Sequence, residues 1–206
     1  MARGRPESGK EKMLEAALKV FSDHGYRRTT LDDVAKEAGV ANSTLYNYFE
    51  SKEDLYHQTC ERAALAWQNW VKDRVAEVDS ARDKFLTMGR ESFSYLSRNT
   101  ELRKLLQNDP KLFPLFEFSE RYTDIDMGAV GMLRGVLEQG VREGVFRPLN
   151  FEQVTHVIFS IYKMFVISAF IEHPEHGEEE LFGETLDMIL DGLCARKSKG
   201  KVEKAR

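Results

Sequence analysis

The chain has 206 residues, five prolines, two cysteines and a formal net charge of −4. Its apolar and charged fractions, 42% and 31%, are those of a soluble globular protein, and its length allows one large domain or a small one joined to a larger one. The charge is uneven: residues 1–52 carry a net +1, 53–194 a net −10 and 195–206 a net +5. Bulk electrostatics therefore do not announce a nucleic-acid binder, and any such role must rest on placed residues.

Cys60 and Cys194 form no pairing framework, which suits a reducing compartment and argues against a disulfide-stapled secreted fold. The start, Met1 to Pro6, has no apolar segment behind it, so a cytoplasmic protein without a signal peptide is expected. Val157 to Ile171 is the most membrane-like stretch. With Lys163 at its middle it is too short and polar to span, and no membrane partner is expected.

In chain order, Ser8 and Glu11 have the form of a capping box. Met13, Leu14, Ala17, Leu18 and Phe21 then make a stripe with three-four spacing that ends at Gly25. Thr30 can cap a short helix that stops at Gly39, a third helix is expected over 41–49, and Ser51 can cap a long fourth. Helices follow through Phe85, Met88, Phe93 and Leu96, then from Asn99 or Thr100 to before Pro110. Pro110 and Pro114 bracket an irregular piece holding Phe113, Phe116 and Phe118. A helix from about Glu120 to Glu143, a turn at 144–150, an apolar helix Phe151–Ile171 and a last one from about Glu178 to Ala195 complete the chain. About nine helices and no defensible strand make the fold all-α. A helix-turn-helix domain over 1–52 is expected to precede a larger helical domain over 53–206.

Residues 31–49 hold two short helices joined at Gly39, with Ala35 and Ala38 small where the helices cross. Val34, Val40, Leu45 and Phe49 can fill the wedge between them, leaving Asn42, Ser43, Thr44, Tyr46 and Asn47 outward. Short polar groups and an aromatic on one exposed face suit base edges, thymine methyls and phosphate oxygens, as on a major-groove recognition helix.

Thr29-Thr30, Gly39-Val40, Thr44-Leu45-Tyr46-x-Tyr48-Phe49 and Ser51-Lys52-Glu53-Asp54-Leu55 together resemble the N-terminal signature of TetR/AcrR-type regulators. The resemblance covers residues 10–56. It implies a homodimer, a palindromic double-stranded operator, repression as the usual mode and a body that senses an apolar or amphipathic small molecule. By position it implies a phosphate contact at Thr30 and approach to bases by Ala41, Asn42, Ser43 and Thr44. It also implies backbone or methyl contacts at Tyr46 and Tyr48, and a phosphate contact at Lys52. Ala41, Ser43 and Asn47 depart from residues frequent in the family, which leaves base preference open, although Asn42 suits a bidentate contact to adenine. Arg3 and Arg5 in Arg-Gly-Arg-Pro are either an unstructured basic start or a minor-groove arm.

The body is crowded with large apolar residues, most of them core. Phe85, Met88, Phe93, Phe113, Phe116, Phe159 and Tyr162 could also line a pocket, with Arg121, Tyr122, His156 and Lys163 as polar candidates. Gly128, Gly131 and Gly135 in one helix mark either close approach or room for a ligand. The resemblance makes the last two long helices a dimer face, with Phe151, Phe159, Leu181, Leu186, Ile189 and Leu193 as contributors.

Other chemistry is poorly supported. His57 and Cys60 sit three apart with no third catalytic group indicated, and His173 and His176 lie in a turn better read as solvated than metal-binding. No enzyme, cofactor or metal is expected. The competing reading is a DNA-binding or DNA-organising protein of the same fold that takes no ligand.

Overall fold

In a computed structural model the protein is described over residues 6–108, 123–172 and 178–195. These residues form nine α-helices: α1 Pro6–Arg28, α2 Leu31–Ala38, α3 Asn42–Leu45, α4 Lys52–Ala76, α5 Ala81–Arg98, α6 Thr100–Asn108, α7 Thr123–Arg142, α8 Phe151–Ile167 and α9 Glu178–Leu193. No strand occurs among the described residues. An antiparallel bridge pairs Phe146 with Cys194 and ties the end of α7 to the end of α9.

Sequence signals set most boundaries. Gly25 takes φ 75°, and the chain turns there before one last helical turn to Arg28. Gly39 takes φ 67° and donates its N–H to the carbonyls of Ala35 and Lys36, while Val40 N–H bonds Ala35 O at 3.0 Å. This pair of reversed bonds is a Schellman ending. Ser51, Ser80 and Asn150 each accept an N–H from the third residue of the helix they start.

Two elements differ from expectation. The third helix is regular only over Asn42–Leu45, and its continuation to Tyr48 uses i to i+3 bonds such as Asn47 N–H to Thr44 O. Its first residue lacks a side-chain cap, and Ser, Thr, Asn and Tyr are weak helix formers. The helix from Phe151 does not stay α-helical to Ile171. It widens into a π turn over Ser168–Glu172, where Gln107 Nε2 donates to Phe170 O at 2.9 Å. The Pro110–Pro114 segment and the His173–His176 pair lie outside the described residues, as does the basic end beyond Ala195.

Head and body share one hydrophobic core running through α4. The first turns of α4 belong to the head, since Tyr56 meets Phe21 edge to face at 4.9 Å and Leu55 and Cys60 are fully buried. Further along, Trp67 and Val71 are buried against the body. Arg62 pins the rod to α1 through Glu11 at 2.5 Å and Glu15 at 2.9 Å. The expected division at residue 52 therefore falls at the start of a helix common to both parts.

The α7 glycines divide by environment. A Cβ on Gly128 would stand 2.8 Å from Gln68 Oε1, whereas Gly131 and Gly135 face open space. Gly140, beyond that trio, lies under the buried Phe146 ring, with Cδ2 2.0 Å from where a Cβ would sit. We expect Gly140→Ala to lower stability by about 1–3 kcal/mol through overpacking. Gly135→Ala should raise it by up to about 1 kcal/mol. Urea unfolding of both variants checks the contrast.

Candidate nucleic-acid interface and effector cavity

The head presents a polar ledge above a packed wedge. Val34, Ala35, Leu45 and Phe49 are buried between α1, α2 and α3. That burial turns Ala41, Ser43, Tyr46 and Asn47 to solvent and leaves Asn42, Thr44 and Tyr48 half-exposed. Tyr46 is the most prominent, at 58% exposure. These are the residues expected to meet DNA, and they share one surface. Arg3 and Arg5 lie outside the described residues.

Thr30, Asn42, Tyr48 and Lys52, all expected to meet DNA, also have contacts within the chain. Thr30 caps α2: its hydroxyl donates to Asp33 Oδ2 at 2.6 Å and accepts the Asp33 N–H, while Asp33 Oδ2 takes the Thr30 N–H at 2.8 Å. These bonds hold the Asp33 carboxyl below the usual carboxylate range. Asn42 Nδ2 donates to Asp32 Oδ1, so the side chain suited to adenine is tethered to α2 in the DNA-free chain. Tyr48 projects its hydroxyl towards Gly9 on α1.

Lys52 has the largest structural duty. Its ammonium donates to the carbonyls of Tyr26 at 2.9 Å and Thr29 at 3.0 Å, and sits 4.5 Å from the centre of the Tyr26 ring. Those carbonyls end α1, and a cation there completes the orphan acceptors of the last turn. Position in the sequence suggested a phosphate contact; the geometry gives Lys52 the joint between α1 and α4. Asp32, Asp33 and Tyr26 were missed because each acts through another residue's side chain. Only the Thr30-x-x-Asp33 spacing carried a readable signal.

The body holds a partly open apolar cavity of about 70 Å³ between α5, α7, α8 and α9. Phe85, Met88, Phe159 and Tyr162 line it as expected, joined by Gly89, Ser92, Ala129, Leu133, Ile158, Ile161, Phe182, Leu186 and Ile189. Gly89 is needed for closeness, since a Cβ there would stand 2.6 Å from Leu186 Cδ1. Phe93 lies behind the wall, stacked on Phe182 at 5.0 Å and tilted against Phe170 at 4.8 Å. His156 is exposed and does not reach the cavity. Phe113, Phe116, Arg121 and Tyr122 lie outside the described residues.

The expected dimer residues scatter. Leu186 and Leu193 are buried inside the protomer and offer almost no area to a second copy. Ile189 and Phe159 are half-buried at the cavity, Phe151 is half-buried, and Leu181 is exposed. Spacing on an amphipathic helix gave the apolar side, but a helix with two apolar faces needs the packed structure to tell them apart. Cys60 is fully buried, and His57 Nε2 faces Glu53 Oε1 at 3.4 Å.

Two measurements test the head. Lys52→Ala should cost about 1–2 kcal/mol, lowering the melting temperature by about 2–6 °C. The salt slope of DNA binding should change by well under one counterion, whereas loss of a phosphate contact would change it by about one. Asp33 has a depressed folded pKa, so its stabilisation is present above the unfolded value near 3.9 and is lost as pH falls through the folded value. Replacing it with Asn should flatten the stability curve below about pH 4; acid unfolding of the two proteins checks this.

Residues 13–59 match the family described as bacterial regulatory proteins, tetR family. Over nearly its whole length the chain is similar to an uncharacterized HTH-type transcriptional regulator, YhgD, of Bacillus subtilis (strain 168). That match is 26% identical over 192 residues, covering 90% of this chain and 97% of the other. The fatty acid metabolism regulator protein of the same organism is 23% identical over 182 residues, covering 88% and 93%. Among solved structures, the transcriptional regulator FadR from Bacillus subtilis in complex with stearoyl-CoA has the same fold. Its TM-score is 0.75 at 22% identity, covering 89% of this chain and 98% of that one. Residues 13–59 thus form a tetR-type head, with Thr30, Gly39, Leu45, Phe49 and Ser51 setting its helices, on an all-helical body, and the comparisons support a TetR-family transcriptional regulator.

Proposed function

We propose that the chain is a repressor that holds a palindromic operator as a homodimer and releases it when a long-chain acyl thioester enters the body. The observation that carries this reading is an apolar cavity in a body joined to the head by two packed helices. The stearoyl-CoA bound by FadR and the fatty acid regulator among the relatives suggest the ligand class. None of the described residues that line the cavity is charged, which suits an acyl chain.

The cavity's size supports a mechanism. Sites for organic ligands run to about 300–1,000 Å³, so a cavity of about 70 Å³ would have to widen to take an acyl chain. An entering chain must push Phe182, Tyr162 or their helices aside. Phe182 stacks on Phe93, Phe93 on Phe170, and the Phe170 carbonyl takes the Gln107 amide of α6. From α6, Asn108 Nδ2 donates to Ser22 O at 2.7 Å and Lys104 meets Asp23 at 2.7 Å, both on α1. Displacement at the cavity thus reaches the helix that supports the recognition ledge. A coupling of about 1–3 kcal/mol corresponds to 5–150-fold relief.

The homodimer reading rests on exposed apolar side chains. Val157 and Met164 on α8 and Leu181 and Met188 on α9 are all more than half exposed. Monomers seldom leave such area uncovered, and a two-fold pair of these helices would bury it on both copies. The stretch Phe151–Ile171 is also long and apolar enough to cross a membrane, with a mean hydropathy of 1.8. Its other face is committed to the core through Thr155, Ile158 and Val166, so we assign its outer face to a second copy in the cytoplasm.

The test uses an operator selected from random duplexes by the ligand-free protein, with binding followed by fluorescence anisotropy. Stearoyl-CoA should weaken binding by 5–150-fold and coenzyme A alone should not. Unchanged affinity at saturating stearoyl-CoA rules out the ligand class, and a monomeric complex on the operator rules out the dimer.

A further inference from the structure

A cavity lined almost wholly by carbon holds one group out of place. Tyr162 lines it, and its hydroxyl oxygen is buried with no hydrogen bond to any described residue. Ser92 shares the cavity wall and exerts a hydrogen-bonding influence on the phenol that works against the effect of burial, but the two hydroxyls do not meet the geometry of a formed hydrogen bond. Rings surround the phenol, with Trp67 and Phe159 each at 6.3 Å and Phe182 at 6.1 Å. A hydroxyl left unbonded in such a setting costs free energy that phenylalanine would avoid.

We propose that the Tyr162 hydroxyl is the effector's polar anchor, donating a hydrogen bond to an uncharged carbonyl oxygen of the ligand inside the cavity. This rests on the acyl-ligand reading above and narrows it from apolar bulk to a neutral acyl carbonyl. The chemistry follows from the surroundings. Burial pushes the Tyr162 hydroxyl far above its ordinary range, so it stays protonated and acts as a donor. Its complement is an acceptor. Among the described residues no Lys, Arg or His lines the cavity to neutralise an anion, so a carboxylate would be desolvated there without compensation from them. A thioester, ester or ketone carbonyl supplies the acceptor without that cost. Apolar bulk alone would leave the hydroxyl unbonded and lose discrimination.

Thr155 provides an internal control. It lies on α8 two turns before Tyr162, its hydroxyl is equally buried and unbonded among the described residues, and it does not line the cavity.

Two readouts on full-length wild type, Tyr162→Phe and Thr155→Val test the proposal. The first is the thermal shift given by 2-dodecanone against dodecane, and the second is operator release by palmitoyl-CoA against palmitate. Wild type should be stabilised more by the ketone than by the alkane and should respond to the thioester but not to the free acid. Tyr162→Phe should melt at or above wild type, lose the ketone preference and need about five- to tenfold more palmitoyl-CoA. Thr155→Val should keep both responses. Equal ketone and alkane shifts in wild type overturn the anchor. So does palmitoyl-CoA release that is identical in wild type and Tyr162→Phe, while leaving the acyl-effector function standing. A ketone preference that Tyr162→Phe abolishes, without operator release by any acyl-CoA, supports the anchor and removes the effector function. A Tyr162→Phe protein that melts well below wild type shows a packing role and overturns it.

Discussion

The structure depends on α4 being a single uninterrupted rod. Its 25 residues span about 37 Å, from a Ser51 cap inside the head to Val75 inside the body. At one end Lys52 ties the ends of α1 to it; at the other Trp67 and Trp70 bond α5 through Ser92 O and Glu91, each at 3.0 Å. Because buried side chains run along its length, head and body cannot tilt freely about residue 52. A shift of the body must move the rod or break its contacts, and packed interiors favour discrete alternatives over gradual bending.

That constraint gives the second link, through α6, its mechanical meaning. The π turn at Ser168–Glu172 places Phe170 so that its ring meets Phe93 and its carbonyl meets Gln107. A regular α-helix would rotate this ring and carbonyl elsewhere, so the wide turn is a consequence of serving both contacts. Two connections to the head, one by α4 and one by α6, mean that the body can change the head's angle as well as its position. In a dimer that angle sets the spacing of two recognition surfaces, and small rotations matter at a half-site separation of about 34 Å.

The sequence was most informative where function and local backbone rules coincide. Thr30, Gly39 and Ser51 announce helix ends by chemistry that needs no tertiary partner, and all three behave as their types require. Leu45 and Phe49 follow from spacing alone. The short third helix was overdrawn because its order comes from packing and not propensity. In the body, periodicity identified apolar residues without saying which neighbour each would meet. Phe182 was overlooked although it closes the cavity, His156 was placed inward although it faces out, and Leu193 was given to an interface although it is core. Lys52 shows a subtler limit: its place at the start of α4 was legible, but not that its ammonium bonds carbonyls of its own chain.

The Asn42–Asp32 contact alters how base recognition is to be counted. Asn42 is held by a neighbouring carboxylate, and its own oxygen is buried without a partner among the described residues. Docking on adenine would exchange the Asp32 bond for a base bond and also satisfy that oxygen. The net discrimination is therefore a difference between two polar environments and smaller than a bidentate pair formed from water. The head of net charge +1 offers little bulk attraction, so on the reading proposed above this exchange and the exposed Tyr46 and half-exposed Thr44 would carry base choice. Weak non-specific attraction to the duplex would also ease the release proposed above.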